Sequence, residues 1–291
     1  MQALEYVVPR TLDEAVSVLT KHGTAARVLA GGTDLIIQAR EGRRSVGVMV
    51  DVKSIPETTV LTLSADGALR IGAAVSCARI YGDREIAKRI PALIDSASLI
   101  GGIQIQSRAS IGGNLCNSSP AADSIPTLIA LGAIAHIVGP GGPRDLPVEQ
   151  FCTAPGQNAL RPDEMLVALS IPAPAAHSGA AFERFIPRNE MDIAVVNVAA
   201  NVTLSADGSK FESARIAIGA VAPTPLFVKA AGDALVGQPV SDEAIAKAAD
   251  AARAAAKPIT DMRGSAGQRR HLAGVLTQRV INKAVERARG R

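Results

Sequence analysis

The last third of the chain orders its secondary structure in a way that points away from a doubly wound sheet. Three strand-forming segments come first, over residues 181–186, 194–204 and 211–219, with an Asp207-Gly208 turn between the second and third. Three Ala-rich helical stretches then run to the C-terminus. A doubly wound sheet alternates strands with helices, so strands followed by helices point to α+β. Ahead of this unit lies Pro172-Ala-Pro-Ala-Ala-His-Ser-Gly, a linker by composition.

Upstream, the first fifty residues read as a strand–helix–strand unit. Thr11-Leu12-Asp13-Glu14 is a capping box, and Leu12, Ala15, Val18 and Leu19 then form one apolar helical face that Gly23 ends. Residues 27–30 form a strand running straight into Gly31-Gly32-Thr33-Asp34. A short helical turn over 35–39 and a strand over 46–52 follow. A second unit extends from about 54 to 172. It holds a hairpin around Asp66-Gly67, a helix capped by Ser76 and running through residue 87, and another opened by Pro91. Residues 125–130 read as helix, 134–138 and 165–171 as strands, and Gly139-Pro-Gly-Gly-Pro as a turn. The segment 101–122 is rich in Gly, Ser and Asn and is expected to be an irregular, ligand-facing loop.

Composition narrows the function. A chain of 291 residues, 47% hydrophobic and 20% charged, buries a real core and has room for about two compact units. It has no Trp, two Tyr and five Phe, too few aromatic faces for base stacking, so no nucleic-acid partner is expected. Cys77, Cys116 and Cys152 are widely spaced, and the four His are scattered without an HExxH. No disulfide framework, zinc tetrad or iron–sulfur ligand set is expected within the chain, and the thiols fit a reduced, cytoplasmic setting. Met1-Gln2-Ala3-Leu4-Glu5 opens no signal peptide, and the most apolar stretch, 128–138, is too short to span a bilayer. The net charge of +4 is uneven. Residues 263–291 carry eight Lys/Arg against the single acid Glu286. This run reads either as a solvated helix face or as a dock for an acidic partner.

The common nucleotide signatures are missing: there is no GxGxxG, no Gly-Lys pair and no GxSxG. Two Gly-Gly loops remain as candidates. Ala30-Gly31-Gly32-Thr33-Asp34 ends a strand with consecutive residues lacking Cβ, which serves a plain turn or brings N–H groups against an anion. Ser110-Ile111-Gly112-Gly113-Asn114 continues to Ser119-Pro and Asp123, gathering backbone donors, hydroxyls, an amide and one carboxylate. Two donor-rich loops suit a pyrophosphate and a carboxylate suits sugar or polyol hydroxyls, so a dinucleotide follows.

The two loops, in this order and spacing, resemble those of the FAD-binding (medium) subunit of molybdenum hydroxylases, the family of xanthine dehydrogenases and aerobic CO dehydrogenases. The resemblance covers essentially the whole chain. It implies a vanillyl-alcohol-oxidase-type fold: FAD-binding lobes over 1–53 and 54–177, then a C-terminal α+β domain over 178–291. It also implies that Val28, Leu29 and Ala30 through Leu35 (Gly31, Gly32, Thr33, Asp34) follow the dinucleotide backbone. Ser110, Ile111, Gly112, Gly113 and Asn114 would meet phosphates, with Ser119 and Asp123 on phosphate or ribityl oxygens. Met165 and Leu166 would stand beside the adenine, with Arg184 as a basic contact. Ile193, after Asp192, would lie near the isoalloxazine face. CO dehydrogenases tend to carry Tyr there, where xanthine dehydrogenases carry Ile, and His-Ser in place of Thr33-Asp34; both departures count against CO as substrate, although an ordinary buried strand Ile fits either type.

The implied role is electron transfer. Hydroxylation in that family occurs at a molybdenum cofactor on a large partner subunit, and a small partner carries two [2Fe–2S] clusters, commonly as a dimer of heterotrimers. FAD in this chain would pass the electrons to an external acceptor, so no side chain is assigned a catalytic or metal-binding role. Two rival readings are a self-contained flavin oxidase or dehydrogenase and a flavin-free assembly module. The sparse His and Tyr oppose the first, and the intact Gly-Gly loops and Asp123 oppose the second.

Overall fold

The computed structural model describes residues 4–188 and 191–290. Its first unit alternates β1 (Glu5–Val7), α1 (Leu12–His22), β2 (Ala26–Leu29), α2 (Leu35–Arg40) and β3 (Val48–Asp51). The three strands are parallel in the order β1-β3-β2, which leaves β2 at an edge. Thr11 starts α1 through its Oγ1, which accepts from Glu14 N–H at 3.2 Å. The Glu14 carboxylate reaches one residue further back than the box anticipates and accepts from Arg10 N–H at 2.7 Å. Ala15 and Leu19 pack on Val48 and Val50, and Met165 of the next unit completes that core.

The second unit comprises α3 (Pro56–Thr59), β4 (Leu61–Leu63), β5 (Leu69–Gly72), α4 (Cys77–Tyr81), α5 (Arg84–Arg89), α6 (Pro91–Ala97), α7 (Ile103–Gln106), α8 (Ile111–Asn117) and α9 (Ser124–Ala130). It continues with β6 (Ile134–Gly139), β7 (Gly142–Pro147), β8 (Cys152–Ala154), β9 (Gln157–Asn158) and β10 (Met165–Ile171). Five of its strands form an antiparallel sheet in the order β4-β5-β10-β6-β7. The strict alternation of buried and half-buried residues along β6 shows that one face is covered, and Leu69, Ile71, Leu93 and Ile125 belong to the core beneath it.

Two expectations change here. The segment 101–122 is not irregular: it contains α7 and α8. Ser110 adopts an extended conformation and its Oγ accepts from Gly113 N–H at 3.0 Å, a cap that starts α8 despite two glycines in its first turn. The helix that Ser76 caps also stops early. Gly82 ends α4, and Asp83 Oδ1 starts α5 by accepting from Glu85 and Ile86 N–H at 2.9 and 3.1 Å.

The third unit is a meander, β11 (Ser178–Phe185), β12 (Val196–Leu204), β13 (Phe211–Gly219) and β14 (Leu226–Phe227), followed by α10 (Lys229–Asp233), α11 (Asp242–Ala255) and α12 (Ala266–Ala288). Val198, Val202, Ile216 and Ile218 meet Val280 and Ile281 of α12 in one core. The basic C-terminal stretch is largely engaged within the chain. Arg287 grips Asp95 on α6 through two bonds of 2.6 and 3.0 Å and donates to the Ala180 carbonyl at 2.7 Å. Lys283 Nζ lies 3.5 Å from the same carboxylate, and Arg269 is buried against Asp261. For these residues the acidic partner is the chain itself. Among the described residues, no helix is long and apolar enough to cross a membrane.

Candidate functional site

A cleft of about 690 Å³ opens where the first two units meet. Its walls are the end of β2 with the loop after it, α2, the first turn of α8, and a segment over residues 156–166. The two glycine loops touch. A Cβ on Gly31 would lie 1.7 Å from the Arg108 carbonyl oxygen, so only glycine lets the first loop rest on the backbone leading into the second. Gly112 is likewise pressed on Ala73, with 2.5 Å to its carbonyl oxygen.

The other glycine of each pair has a different surrounding. Gly32 has φ +77°, which a side chain tolerates poorly, and Gly113 would place a Cβ near nothing but its own cap, Ser110 Oγ, at 2.9 Å. Among the described residues, no acceptor is found for the N–H groups of Gly31, Gly32, Thr33 and Asp34. Unpaired donors grouped around Cβ-less positions form an anion cradle. Lys53 fixes the base of this loop, donating to the Ala30 carbonyl at 2.9 Å and to Asp51 at 2.6 Å. Across the cleft Asn114 Oδ1 accepts from Ser124 at 2.7 Å, which turns the Asn114 amide N–H groups toward other partners. Gln38 on α2 donates to Asn117 on α8 at 3.0 Å and ties the two walls together.

The electrostatics favour an anion. Arg27, Arg44 and Arg161 enter the wall against two carboxylates, Asp34 and Glu164. Glu164 is already neutralised. Arg144 donates to it at 2.7 and 2.8 Å and Arg161 lies at 2.9 Å, and the Arg144 hydrogen bonds bring its carboxyl down to about 2. Desolvation pushes Asp34 above the usual carboxylate range. Cys116, also in the wall, is no nucleophile: burial, and then Cys152, push its thiol up to about 12.

Of the residues expected from sequence, Val28, Ala30, Gly31, Gly32, Thr33, Asp34 and Leu35 line the cleft. So do Ser110, Gly112, Gly113, Asn114, Met165 and Leu166. Leu29 and Ile111 are buried outside its lining. Ser119 is outside the lining as well, its Oγ accepting from Ala121 N–H at 3.4 Å. Asp123 and Arg184 meet each other, at 2.6 Å, in a contact that joins the second unit to the third. Asn197 adds a weaker bond to Asp123 at 3.5 Å, and burial outweighs both partners and raises the Asp123 carboxyl to about 6. Ile193 is 51% exposed, close to exposed Met191. The sequence reading missed Arg27, Arg44, Gln38, Asn117 and the 156–164 segment. Only the Asn and Gln at 157–158 hinted at polar recognition there.

Two other chemistries find little support. Among the described residues, no three His, Cys, Asp or Glu converge to hold a metal. His136 does bridge Asp145 at 2.7 Å and Ser170 at 2.9 Å, a nucleophile–base–orienter spacing. Those residues line neither the cleft nor the two smaller hollows, so they form a polar ladder across the sheet.

Comparison with known proteins decides the family. Residues 2–174 match the FAD binding domain in molybdopterin dehydrogenase, and residues 181–284 match the CO dehydrogenase flavoprotein C-terminal domain. The chain belongs to the FAD-binding subunits of the molybdenum hydroxylases. This subunit is 34% identical to the xanthine dehydrogenase FAD-binding subunit of Escherichia coli O157:H7, over 97% of this chain and 96% of that one. It is 32% identical to the carbon monoxide dehydrogenase medium chain of Afipia carboxidovorans, over 99% and 98%. Among solved structures, carbon monoxide dehydrogenase from Hydrogenophaga pseudoflava superposes with a TM-score of 0.93 at 32% identity, covering 98% of each chain. The α+β architecture and the flavin-subunit resemblance read from the sequence both stand.

Proposed function

We propose that this chain holds FAD along the cleft and is the electron-transfer subunit of a molybdenum hydroxylase complex. When bound, FAD supplies the exchange between single electrons from [2Fe–2S] clusters on a small partner and an external acceptor, while hydroxylation takes place at the molybdenum cofactor of a large partner. The reading extends to a cytoplasmic dimer of heterotrimers and to lobes dividing after residues 53 and 177.

The observation that carries this reading is the donor cradle formed by the touching glycine loops. The N–H groups of Gly31 to Asp34, with the Thr33 hydroxyl, take phosphate oxygens from one side. Ser110, Gly113 and Asn114 take them from the other. Val28, Leu35, Met165 and Leu166 supply apolar walls, and buried Leu29 and Ile111 support the loops from below. Asp123 and Arg184, with Ser119 nearby in the chain, stand behind the second loop, because Ser124 contacts Asn114. Ile193 faces the isoalloxazine end. No histidine or tyrosine is found in the described cleft lining, which favours electron transfer over a self-contained oxidase.

Reconstitution tests this. The full chain should take up about one FAD and remain slow to reduce with organic substrates until both partner subunits are added. Rapid reduction of the isolated flavoprotein by such a substrate would defeat the proposal.

A further inference from the structure

The first glycine loop is backed by three side chains that stand outside the cleft wall: Tyr6, Asp51 and Lys53. The strand order β1-β3-β2 sets Asp51, at the end of β3, between Tyr6 on β1 and the loop that leaves β2. Asp51 is buried, and both of its carboxylate oxygens are taken. Tyr6 donates its hydroxyl to Oδ2, while the Lys53 N–H and ammonium donate to Oδ1 at 3.0 and 2.6 Å. Burial works against the Asp51 charge, but these bonds outweigh it and hold the carboxyl below its ordinary range. The same ammonium donates to the Ala30 carbonyl at 2.9 Å.

That last bond reaches the cradle through a single peptide group. The Ala30 oxygen and the Gly31 nitrogen belong to it, and among the described residues the Gly31 N–H has no acceptor. A cation on the oxygen draws electron density from the nitrogen, so the N–H becomes a stronger donor to an anion. One C=O and one C–N bond separate the two atoms, which places Lys53 Nζ within roughly 5.5 Å of the Gly31 nitrogen. Behind the ammonium lies the Asp51 carboxylate, a charge that repels the same anion. The Lys53 side chain is 32% exposed and that of Asp51 10%, so solvent screens neither charge fully. A neutral side chain would be enough to tie Ala30 to β3; the ammonium adds a field.

We propose that Lys53 is a positioning residue for the cofactor's pyrophosphate: held by Asp51 and Tyr6, its ammonium strengthens the Gly31 N–H from behind and shields the cradle from the carboxylate. The proposal rests on the FAD reading above.

The test is equilibrium binding of FAD to the flavin-stripped full chain, followed by flavin fluorescence below the melting onset of each variant. It compares the wild type with Lys53→Met, Lys53→Arg, Asp51→Asn and the Lys53→Met, Asp51→Asn double variant. Lys53→Met should lose FAD affinity on the order of tenfold or more, because it removes the cation and leaves the carboxylate bare. Lys53→Arg, which keeps the charge, should bind nearly as the wild type does. Asp51→Asn should bind at least as tightly as the wild type, and the double variant more tightly than Lys53→Met. A mere staple between strands predicts the reverse order, each lost bond weakening the site and the double variant weakest. Unchanged affinity in Lys53→Met, no rescue by Lys53→Arg, or a double variant no tighter than Lys53→Met would each overturn the proposal. If Lys53→Met does not fold, Asp51→Asn and Lys53→Arg decide, and a fall on the order of tenfold in either overturns it. A wild-type chain that takes up no FAD would defeat the FAD reading itself, a distinct failure.

Discussion

The two Gly-Gly pairs look alike in sequence and solve different problems in the fold. In each, one glycine is required by contact: Gly31 by the Arg108 backbone and Gly112 by the Ala73 backbone. The second glycine of each pair differs. Gly32 needs its left-handed backbone, whereas Gly113 is helical and a Cβ there would meet only its own cap, Ser110 Oγ, at 2.9 Å. The first loop presents unpaired N–H groups and is fixed at its base by Lys53. The second starts a capped helix and has a buried ion pair behind it. A repeated dipeptide thus combines backbone approach, backbone conformation and ligand access, and single substitutions separate them.

The largest expected effect lies behind the second loop. Asp123→Ala would leave Arg184 buried without its carboxylate, and loss of one member of a buried pair costs roughly 3–5 kcal/mol. Urea unfolding measures it. A fall in FAD affinity with stability untouched would instead make Asp123 a direct ligand, as the sequence alone implied. Next comes Gly31→Ala, whose methyl group overlaps the Arg108 carbonyl. It should cost about 1–3 kcal/mol or more even in the flavin-free protein. If that variant melts normally, the two loops do not depend on their contact.

Gly113→Val should act the other way round. Its flavin-free stability should fall by no more than the loss of the Ser110 cap, about 0.5–2 kcal/mol, because that hydroxyl is the one atom a Cβ there would displace. FAD affinity should drop on the order of tenfold or more, as for a lost charge-assisted contact. Equal uptake of FAD by this variant would remove the second loop from the site.

Acid titration sharpens the same contrast. Glu164 is depressed from 4.5 to about 2, so the stability it contributes is present above about pH 4.5 and is lost as pH falls toward 2. Asp123 has the opposite sign. Its carboxyl is raised from 3.8 to about 6, so its ionisation reduces stability as pH rises across that interval. Glu164→Gln should therefore flatten the acid limb below pH 4.5, and Asp123→Asn should flatten the slope between about 3.8 and 6. Stability profiles of both variants, set against the wild type, report each sign separately. The smallest effect is expected at Arg279, which is exposed: alanine there should change stability by less than about 0.5 kcal/mol. Arg287→Ala, which breaks the Asp95 contact, should cost about 1.5–3 kcal/mol. Equal effects would undo the distinction between them.

Local signals carried the elements well. The Thr11 cap, the Asp66-Gly67 hairpin, the period-2 strands and the Ala-rich helices are encoded within a few residues of one another. Short strands such as β8, β9 and β14 were not legible, because two or three residues give no period to read. The helices inside 101–122 were hidden by composition: Gly, Ser and Asn are poor helix formers, and it took the Ser110 cap and packing on Ala73 to override that tendency.

By itself, the sequence determined the α+β order, the two glycine loops and the family to which they belong, since motifs and periodicity are local or depend on order alone. Only the tertiary structure decided which chemistry-bearing residues meet. Asp123 lies 61 residues from Arg184, and Asp95 lies 192 from Arg287, so no local pattern links them. The same holds for the cleft's cationic end, where β2 and the turn after α2 bring Arg27 beside Arg44. Charge partners are chosen by packing across distant segments, and packing is settled only when the cores of all three units have formed.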